Sequence, residues 1–182
     1  SSGVFVIDVH VDVLEVMRTF KQLDAIAYSE NNELANSGDV SELSCFLSRI
    51  AGQRMADRFS MEITPLRVSD RTGHAVLVEL DEGPAGSDYE CLKGVVAVVV
   101  VKRWFTLFGR GCDASTGTRE NVMDAFRKAL RLANAKGFRS LAVRSPVTGK
   151  RSIGVTSRMI KQAMEDVLDE GSLLDDPDDP VH

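Results

Sequence analysis

The sequence predicts a three-layer α/β/α domain with a mixed central sheet. Short apolar runs rich in β-branched residues alternate with longer segments whose apolar residues recur at helical spacing. One pair of apolar runs, 75–80 and 94–101, is joined by a turn-forming connection without a helix, which breaks strict strand–helix alternation. We therefore expect parallel and antiparallel strands in one sheet, with helices on both faces.

The individual elements follow from local patterns. Strands are predicted at 4–9, 23–27, 75–80, 94–101 and 140–143. A helix is expected from the capping pattern Asp39-Val40-Ser41-Glu42 onwards, with Gly52 as a possible interruption. A second helix follows Thr118 and ends near Gly137, and a last helix starts near residue 156 or 157. Residues 104–117 are predicted to form a loop.

Length and composition are typical of one soluble globular domain. The chain has 182 residues, of which 43% are hydrophobic and 27% are charged. The longest apolar stretch, 95–101, is too short to span a membrane, so no membrane partner is expected. Residues 1–3 resemble a remnant of cloning, and residues 4–168 are expected to form the domain.

The net charge of −5 comes from the last residues of the chain. Residues 169–182 carry six acidic groups and no Lys or Arg, which leaves a net charge of about +1 on the remainder. Because this segment also contains prolines, we expect a flexible acidic tail. Overall acidity therefore says little about binding partners.

Neither the cysteines nor the histidines show the spacing of metal ligands. Cys45, Cys91 and Cys112 are far apart in sequence and form no CxxC pair. Reduced thiols are typical of an intracellular protein, cytoplasmic or nuclear. We expect no metal site, no cofactor and no disulfide framework.

Residues 24–34 resemble the Asp-Ala-Ile-Val-Asn-Ala-Ala-Asn-x-x-Leu pattern of the macro domains, a family of ADP-ribose-binding modules. The matching positions are Asp24, Ala25, Ile26, Asn31 and Leu34. Three further segments resemble the family in the same order: Ile50-Ala51-Gly52, Thr72-Gly73-His74-Ala75-Val76 and 120–142. The resemblance extends from about residue 4 to residue 168, and it implies a macro-like fold that recognises ADP-ribose or an ADP-ribosylated protein.

The resemblance also implies roles for two polar residues. In the family, a carboxylate after the first strand accepts a hydrogen bond from the adenine amino group, and Asp12 is its counterpart here. Asp12 has an alternative role as the N-cap of a short helix over 13–21. Asn31 matches the asparagine that contacts the distal ribose, and its alternative is a turn residue bonded to its own backbone.

Members of the family hold the pyrophosphate between two loops that present backbone N–H groups. The resemblance places these loops at 36–40 and 146–154. The candidate contacts are Gly38, Thr148, Gly149 and Lys150. Only Gly38 remains of the first loop's usual run of glycines. Lys150 can offset lost backbone donors by contacting phosphate directly.

Three functions are compatible with these residues. Binding of ADP-ribose or a related nucleotide diphosphate without turnover is favoured, with no catalytic residue. An ADP-ribosyl hydrolase would use Asn31 together with Asp39 or Glu42. The third is a degenerate macro-like module of a larger protein, which has lost the ligand and binds protein or RNA. Its basic and aromatic candidates are Lys102, Arg103, Trp104, Phe105, Phe108, Arg110, Lys150, Arg151 and Arg158.

Overall fold

The structure is a computed structural model, and it describes residues 12–33, 42–103, 114–116, 118–144 and 153–174. The strands are β1 (Ala25–Asn31), β2 (His74–Glu79), β3 (Gly94–Arg103), β4 (Ala114–Thr116) and β5 (Leu141–Val143). The helices are α1 (Val13–Thr19), α2 (Glu42–Glu62), α3 (Arg119–Ala135) and α4 (Ile153–Leu174), with a 3₁₀ turn at Val68–Asp70.

The strands form one mixed sheet in the order β2-β3-β1-β5, and β4 pairs with the end of β3. β1 is parallel to both of its neighbours, β3 and β5. β2 and β3 are antiparallel, with His74 opposite Val99 and Glu79 opposite Gly94. The predicted pairing of the 75–80 and 94–101 strands is therefore confirmed.

Helices cover both faces of the sheet. On the first face, α1 and α2 pack against alternate strand residues that include Ile26, Val95 and Val76. On the second face, α3 and α4 pack against the intervening residues, among them Ala27 and Val96. Residues 95–100 of β3 are all apolar, Val-Val-Ala-Val-Val-Val, as expected for a strand that is buried on both faces. The predicted three-layer α/β/α fold with a mixed sheet is confirmed.

The boundaries of α3 follow from local chemistry, as predicted. The Thr118 hydroxyl accepts a hydrogen bond from the Asn121 N–H at 3.2 Å and caps the helix start. At the other end Gly137 adopts a φ of 71°, where a side chain would be strained, and its N–H donates to the Asn134 carbonyl at 2.9 Å. Helix α2 runs through Gly52 without interruption.

Several boundaries differ from the sequence prediction, and in the two strands concerned the reason is pairing with β3. β1 continues past Ala27 to Asn31, since these residues still pair with β3. The short strand β4 lies inside the predicted loop 104–117. α4 begins at Ile153 and extends to Leu174, beyond the expected domain end at residue 168. The predicted strand at 4–9 and residues 175–182 lie outside the described residues.

Asp24 joins the amino ends of three strands. Its carboxylate accepts a hydrogen bond from the Arg139 N–H at 2.6 Å and forms an ion pair with the Lys93 ammonium at 2.9 Å. Its own carbonyl accepts from the Lys93 and Gly94 N–H groups, at 2.7 and 3.1 Å. Ser140 completes the junction, because its hydroxyl accepts from the Asp24 N–H at 2.9 Å. This aspartate therefore fixes how β1, β3 and β5 start side by side.

Candidate functional site

The carboxyl ends of β1 and β5 form a step in the sheet. β5 pairs with β1 only over Ala25–Ala27, and the Arg144 N–H donates to the Ala27 carbonyl at 2.9 Å. β1 continues along β3 to Asn31, with an irregularity in the register after Glu30. The last part of β1, 28–31, thus projects past the described end of β5.

The chain leaves these two strands toward opposite faces of the sheet. After β1 it continues to α2 on the first face, and after β5 it continues to α4 on the second face. Adjacent parallel strands with this arrangement form a topological switch point, where open α/β sheets leave a crevice that binds ligands. The segments 34–41 and 145–152 therefore begin at neighbouring strands.

A buried carboxyl group lies at the end of β1. Glu30 is 8% exposed, and its Oε1 atom accepts a hydrogen bond from the Asn31 N–H at 2.9 Å. Burial raises the pKa of this carboxyl above its usual range, although hydrogen bonds from the Asn31 N–H and the Tyr28 hydroxyl oppose the shift. The Tyr28 phenol has a raised pKa as well, because it is buried and close to the Glu30 carboxylate. Glu30 was not among the candidates predicted from the sequence. It lies on the same face of the strand as Ile26 and Tyr28, and a charged residue at such a position is a signal that the sequence does contain.

Asn31 is the last residue of β1, and its side chain bonds to the backbone of the turn that follows. Its Oδ1 atom accepts a hydrogen bond from the Glu33 N–H at 3.0 Å, and the residue is 7% exposed. This contact is the self-bonded turn that the sequence offered as the alternative to a ribose contact. A carboxamide also carries an NH₂ group, so the turn and a ligand contact are chemically compatible.

An arginine fastens the turn after β1 to the segment before β2. The Arg71 guanidinium donates to the carbonyls of Thr64, Leu66 and Asn32, at 2.7, 3.1 and 3.2 Å. This fork of donors holds Asn32, which is almost fully buried, in place at the carboxyl edge. Nothing in the local sequence around Arg71 distinguishes it from a surface arginine.

The turn that leads into β2 lies beside the start of α3. Gly73 has a φ of 98°, and its N–H donates to the Val99 carbonyl at 2.9 Å. A Cβ atom at Gly73 would be 3.6 Å from the Asn121 carbonyl oxygen, so the backbone conformation, and not lack of space, requires glycine. The neighbouring Thr72 is 6% exposed, and its hydroxyl has no hydrogen-bond partner in the part of the chain that the structure describes.

Of the six candidate contacts predicted from the sequence, the structure describes Asp12 and Asn31. Asp12 is the N-cap of α1, and its Oδ1 atom accepts a hydrogen bond from the Leu14 N–H at 2.8 Å. This was its predicted alternative role. The other four candidates lie outside the described residues: Gly38, Thr148, Gly149 and Lys150.

Comparison with known proteins adds a likeness to solved structures. No protein-family model matches the chain. No curated protein matches its sequence. Among solved structures, the chain is similar to the macrodomain of Thermus aquaticus DarG, with a TM-score of 0.47 and 12% sequence identity. The match covers 79% of this chain and 83% of that one.

The described residues contain no group of three or more His, Cys, Asp or Glu side chains arranged to hold a metal ion. Within the same ranges, none of the helices is both long enough and apolar enough to cross a membrane.

Proposed function

We propose that this chain recognises ADP-ribose, free or attached to a protein, or a related nucleotide diphosphate. The ligand would lie at the carboxyl edge of the sheet, between the segments that follow β1 and β5. The observation that carries this proposal is the switch point, where adjacent parallel strands send the chain to opposite faces. The sequence resemblance to macro domains in residues 24–34 supports the choice of ligand.

The diphosphate is the part of the ligand that this edge suits best. Backbone N–H groups at the ends of parallel strands bind phosphate without a positive side chain, provided that glycine permits close approach. Gly38 and Gly149 fall in the two segments concerned. We assign the diphosphate to these segments, with Thr148 and Lys150 as further donors.

Asn31 is proposed to contact the distal ribose while its Oδ1 atom keeps the turn to Glu33. Asp12 is proposed to accept from the adenine amino group, in addition to capping α1. An ionised carboxylate has several acceptor sites, so one oxygen can cap the helix while another binds the base. An intracellular role fits the free thiols of Cys45 and Cys91.

Binding without turnover is the proposed mode. Of the acidic groups considered for hydrolysis, Glu42 forms an ion pair with Arg18 at 2.8 Å. Glu30 is buried, has a raised pKa and already accepts from the Asn31 N–H. A general base must be ionised and within reach of the water that it activates. Neither described carboxyl group is arranged as an ionised base without a partner.

Isothermal titration calorimetry with ADP-ribose tests the proposal. We expect binding that Gly149→Glu abolishes, because the new side chain adds bulk and negative charge to the phosphate segment. The matched control is Gln22→Glu, which adds the same charge at the amino edge, where the Gln22 carbonyl accepts from the Ser140 hydroxyl. Asn31→Asp is a second variant that keeps the oxygen used in the turn.

The outcomes separate the three functions. Absence of ADP-ribose binding, or equal loss in Gly149→Glu and Gln22→Glu, would refute recognition at this edge. Binding of single-stranded RNA that weakens steeply with salt would favour the interaction module. Release of ADP-ribose from a modified protein, lost in Asn31→Asp, would show hydrolysis and refute binding without turnover.

A further inference from the structure

A groove of about 720 Å³ lies on the first face of the domain, between α1, α2 and the connection 86–89 that precedes β3. Its floor is apolar and comes from Leu14 and Met17 of α1 and Phe46 of α2. A volume of this size suits a small organic ligand, for which pockets of about 300–1,000 Å³ are typical. The connection 86–89 precedes the amino end of β3, and the groove extends from there to Leu14, next to the start of α1, and to Glu42, the first residue of α2.

One wall of the groove is aromatic. The rings of Phe46 and Tyr89 meet edge to face, with centroids 5.4 Å apart and an interplanar angle of 73°. Such pairs present both ring faces and ring edges to a third ring. This wall therefore favours a planar aromatic body over a flexible aliphatic chain.

Four charged side chains lie at the rim, and one of the two cations has no acidic partner there. Arg18 pairs with both Glu42, at 2.8 Å, and Asp88, at 3.5 Å, so this trio has a net charge of −1. The Arg49 guanidinium lies 5.6 Å from the Phe46 ring centroid, and no acidic side chain among the described residues pairs with it. Contact with the Phe46 ring already restricts the Arg49 side chain. Binding of an anion therefore orders this side chain little further, and the entropic cost of binding stays low.

A hydroxyl group without a partner lies in the same wall. The Ser87 Oγ atom is buried and makes no hydrogen bond to any residue within the described ranges. Because rotation of this side chain breaks no existing bond, the hydroxyl can turn toward a ligand oxygen. The groove thus combines an apolar floor, an aromatic wall, a positioned guanidinium and an unpaired donor.

We propose that this groove is a second binding site, for a small aromatic carboxylate. The ring would lie against Phe46 and Tyr89. The carboxylate would accept hydrogen bonds from the Arg49 guanidinium in the bidentate geometry that arginine–carboxylate pairs favour. The site is independent of the proposed recognition of ADP-ribose.

Two exposed thiols provide the assay. Cys45 lines the groove, whereas Cys91 does not, and both are free and exposed. Alkylation by iodoacetamide is followed by mass spectrometry of the peptide that contains each cysteine. We expect 2-naphthoate to slow alkylation of Cys45 and to leave Cys91 unchanged. The neutral analogue 2-naphthamide should protect Cys45 less well.

Variants locate the contact. Arg49→Gln should raise the concentration of 2-naphthoate for half-protection by about tenfold, the usual size of one hydrogen bond to a charged group. Arg58→Gln is the matched control, because Arg58 is on the same helix and pairs with Glu62 away from the groove. Ser87→Ala should weaken protection by a smaller factor, about threefold, without lowering protein stability, since it removes an unpaired hydroxyl.

Several results would overturn the second site. They are unchanged alkylation of Cys45 at saturating 2-naphthoate, equal slowing of both cysteines, or identical shifts in Arg49→Gln and Arg58→Gln. Protection of Cys45 by ADP-ribose would assign the groove to the nucleotide and refute a separate site. Loss of ADP-ribose binding in Gly149→Glu, by contrast, leaves the naphthoate result untouched, so the two proposals fail independently.

Discussion

Substitution of Asp24 tests how the strands of the candidate site are aligned. The carboxylate has two partners of different kinds, the backbone N–H of Arg139 at 2.6 Å and the ammonium of Lys93 at 2.9 Å. The Asp24 side chain is 8% exposed, whereas the Lys93 side chain is 62% exposed. The backbone hydrogen bond should therefore stabilise the fold more than the ion pair does.

The expected free-energy costs follow from this difference. Asp24→Ala leaves the Arg139 N–H without its acceptor and should lower the free energy of unfolding by about 2 kcal/mol, the typical value for a hydrogen bond to a charged group. Lys93→Ala removes only a solvent-exposed partner and should cost at most about 0.5 kcal/mol. Asp24→Asn keeps one oxygen acceptor, and its cost should lie between the two, near 1 kcal/mol.

Urea denaturation at neutral pH measures the series, with equal m-values as the check that compactness is unchanged. Burial opposes ionisation of Asp24, but the Arg139 N–H and Lys93 outweigh it and hold the pKa of the carboxyl below its usual value. Its stabilisation is therefore present above about pH 4 and is lost as the pH falls through the lower, folded-state pKa. In the Asp24→Asn variant, the free energy of unfolding should therefore decrease less steeply as the pH falls through this range. If Lys93→Ala cost as much as Asp24→Ala, the ion pair would dominate and the reasoning would be wrong.

Three further predictions use the same measurement. Gly52→Ala should stabilise by about 0.5–1 kcal/mol, because its Cβ would meet only the Ser48 Cβ, at 3.8 Å, inside α2. Gly94→Ala should destabilise by about 1–3 kcal/mol, because its Cβ would lie 2.7 Å from the Phe138 ring, and Phe138→Leu should relieve part of this cost. Burial and the nearby Lys128 ammonium lower the pKa of His74, so stability should fall as the pH drops below about 6.5, and His74→Gln should remove that dependence.

Each of these has a clear contrary result. Destabilisation by Gly52→Ala would mean that α2 bends at this residue. Additive effects of Gly94→Ala and Phe138→Leu would mean that the two residues do not press on each other. A pH profile that is the same with and without His74 would place the titrating group elsewhere.

Local sequence determined the elements whose stabilising contacts lie close together in the chain. The start of α3 at Thr118 depends on a hydrogen bond to Asn121, and its end depends on the positive φ of Gly137. Both signals are readable from a few neighbouring residues. The long apolar run at 95–100 likewise indicated a central strand buried on both faces. The fold class followed from these elements and their order.

Tertiary structure decided what depends on distant partners. β1 extends to Asn31 because β3 pairs with it, and Glu30 becomes buried as a result. On α4, the apolar residue Leu168 is 43% exposed, whereas Met159 and Ala163 face the sheet. Local periodicity reports that a helix has an apolar face, but packing selects which residues of that face are covered.

The candidate site shows the same division. Sequence resemblance selected Asn31 and the segments that contain Gly38 and Gly149. It implied that these two segments face the same ligand, but it did not give the backbone pairing of β1 with β5, whose residues lie more than a hundred positions further along the chain. Strand order is set by burial of both sheet faces and by backbone pairing between remote segments, and these are properties of the whole fold. The sequence alone thus determined which chemical groups are available, and tertiary structure determined which of them lie together.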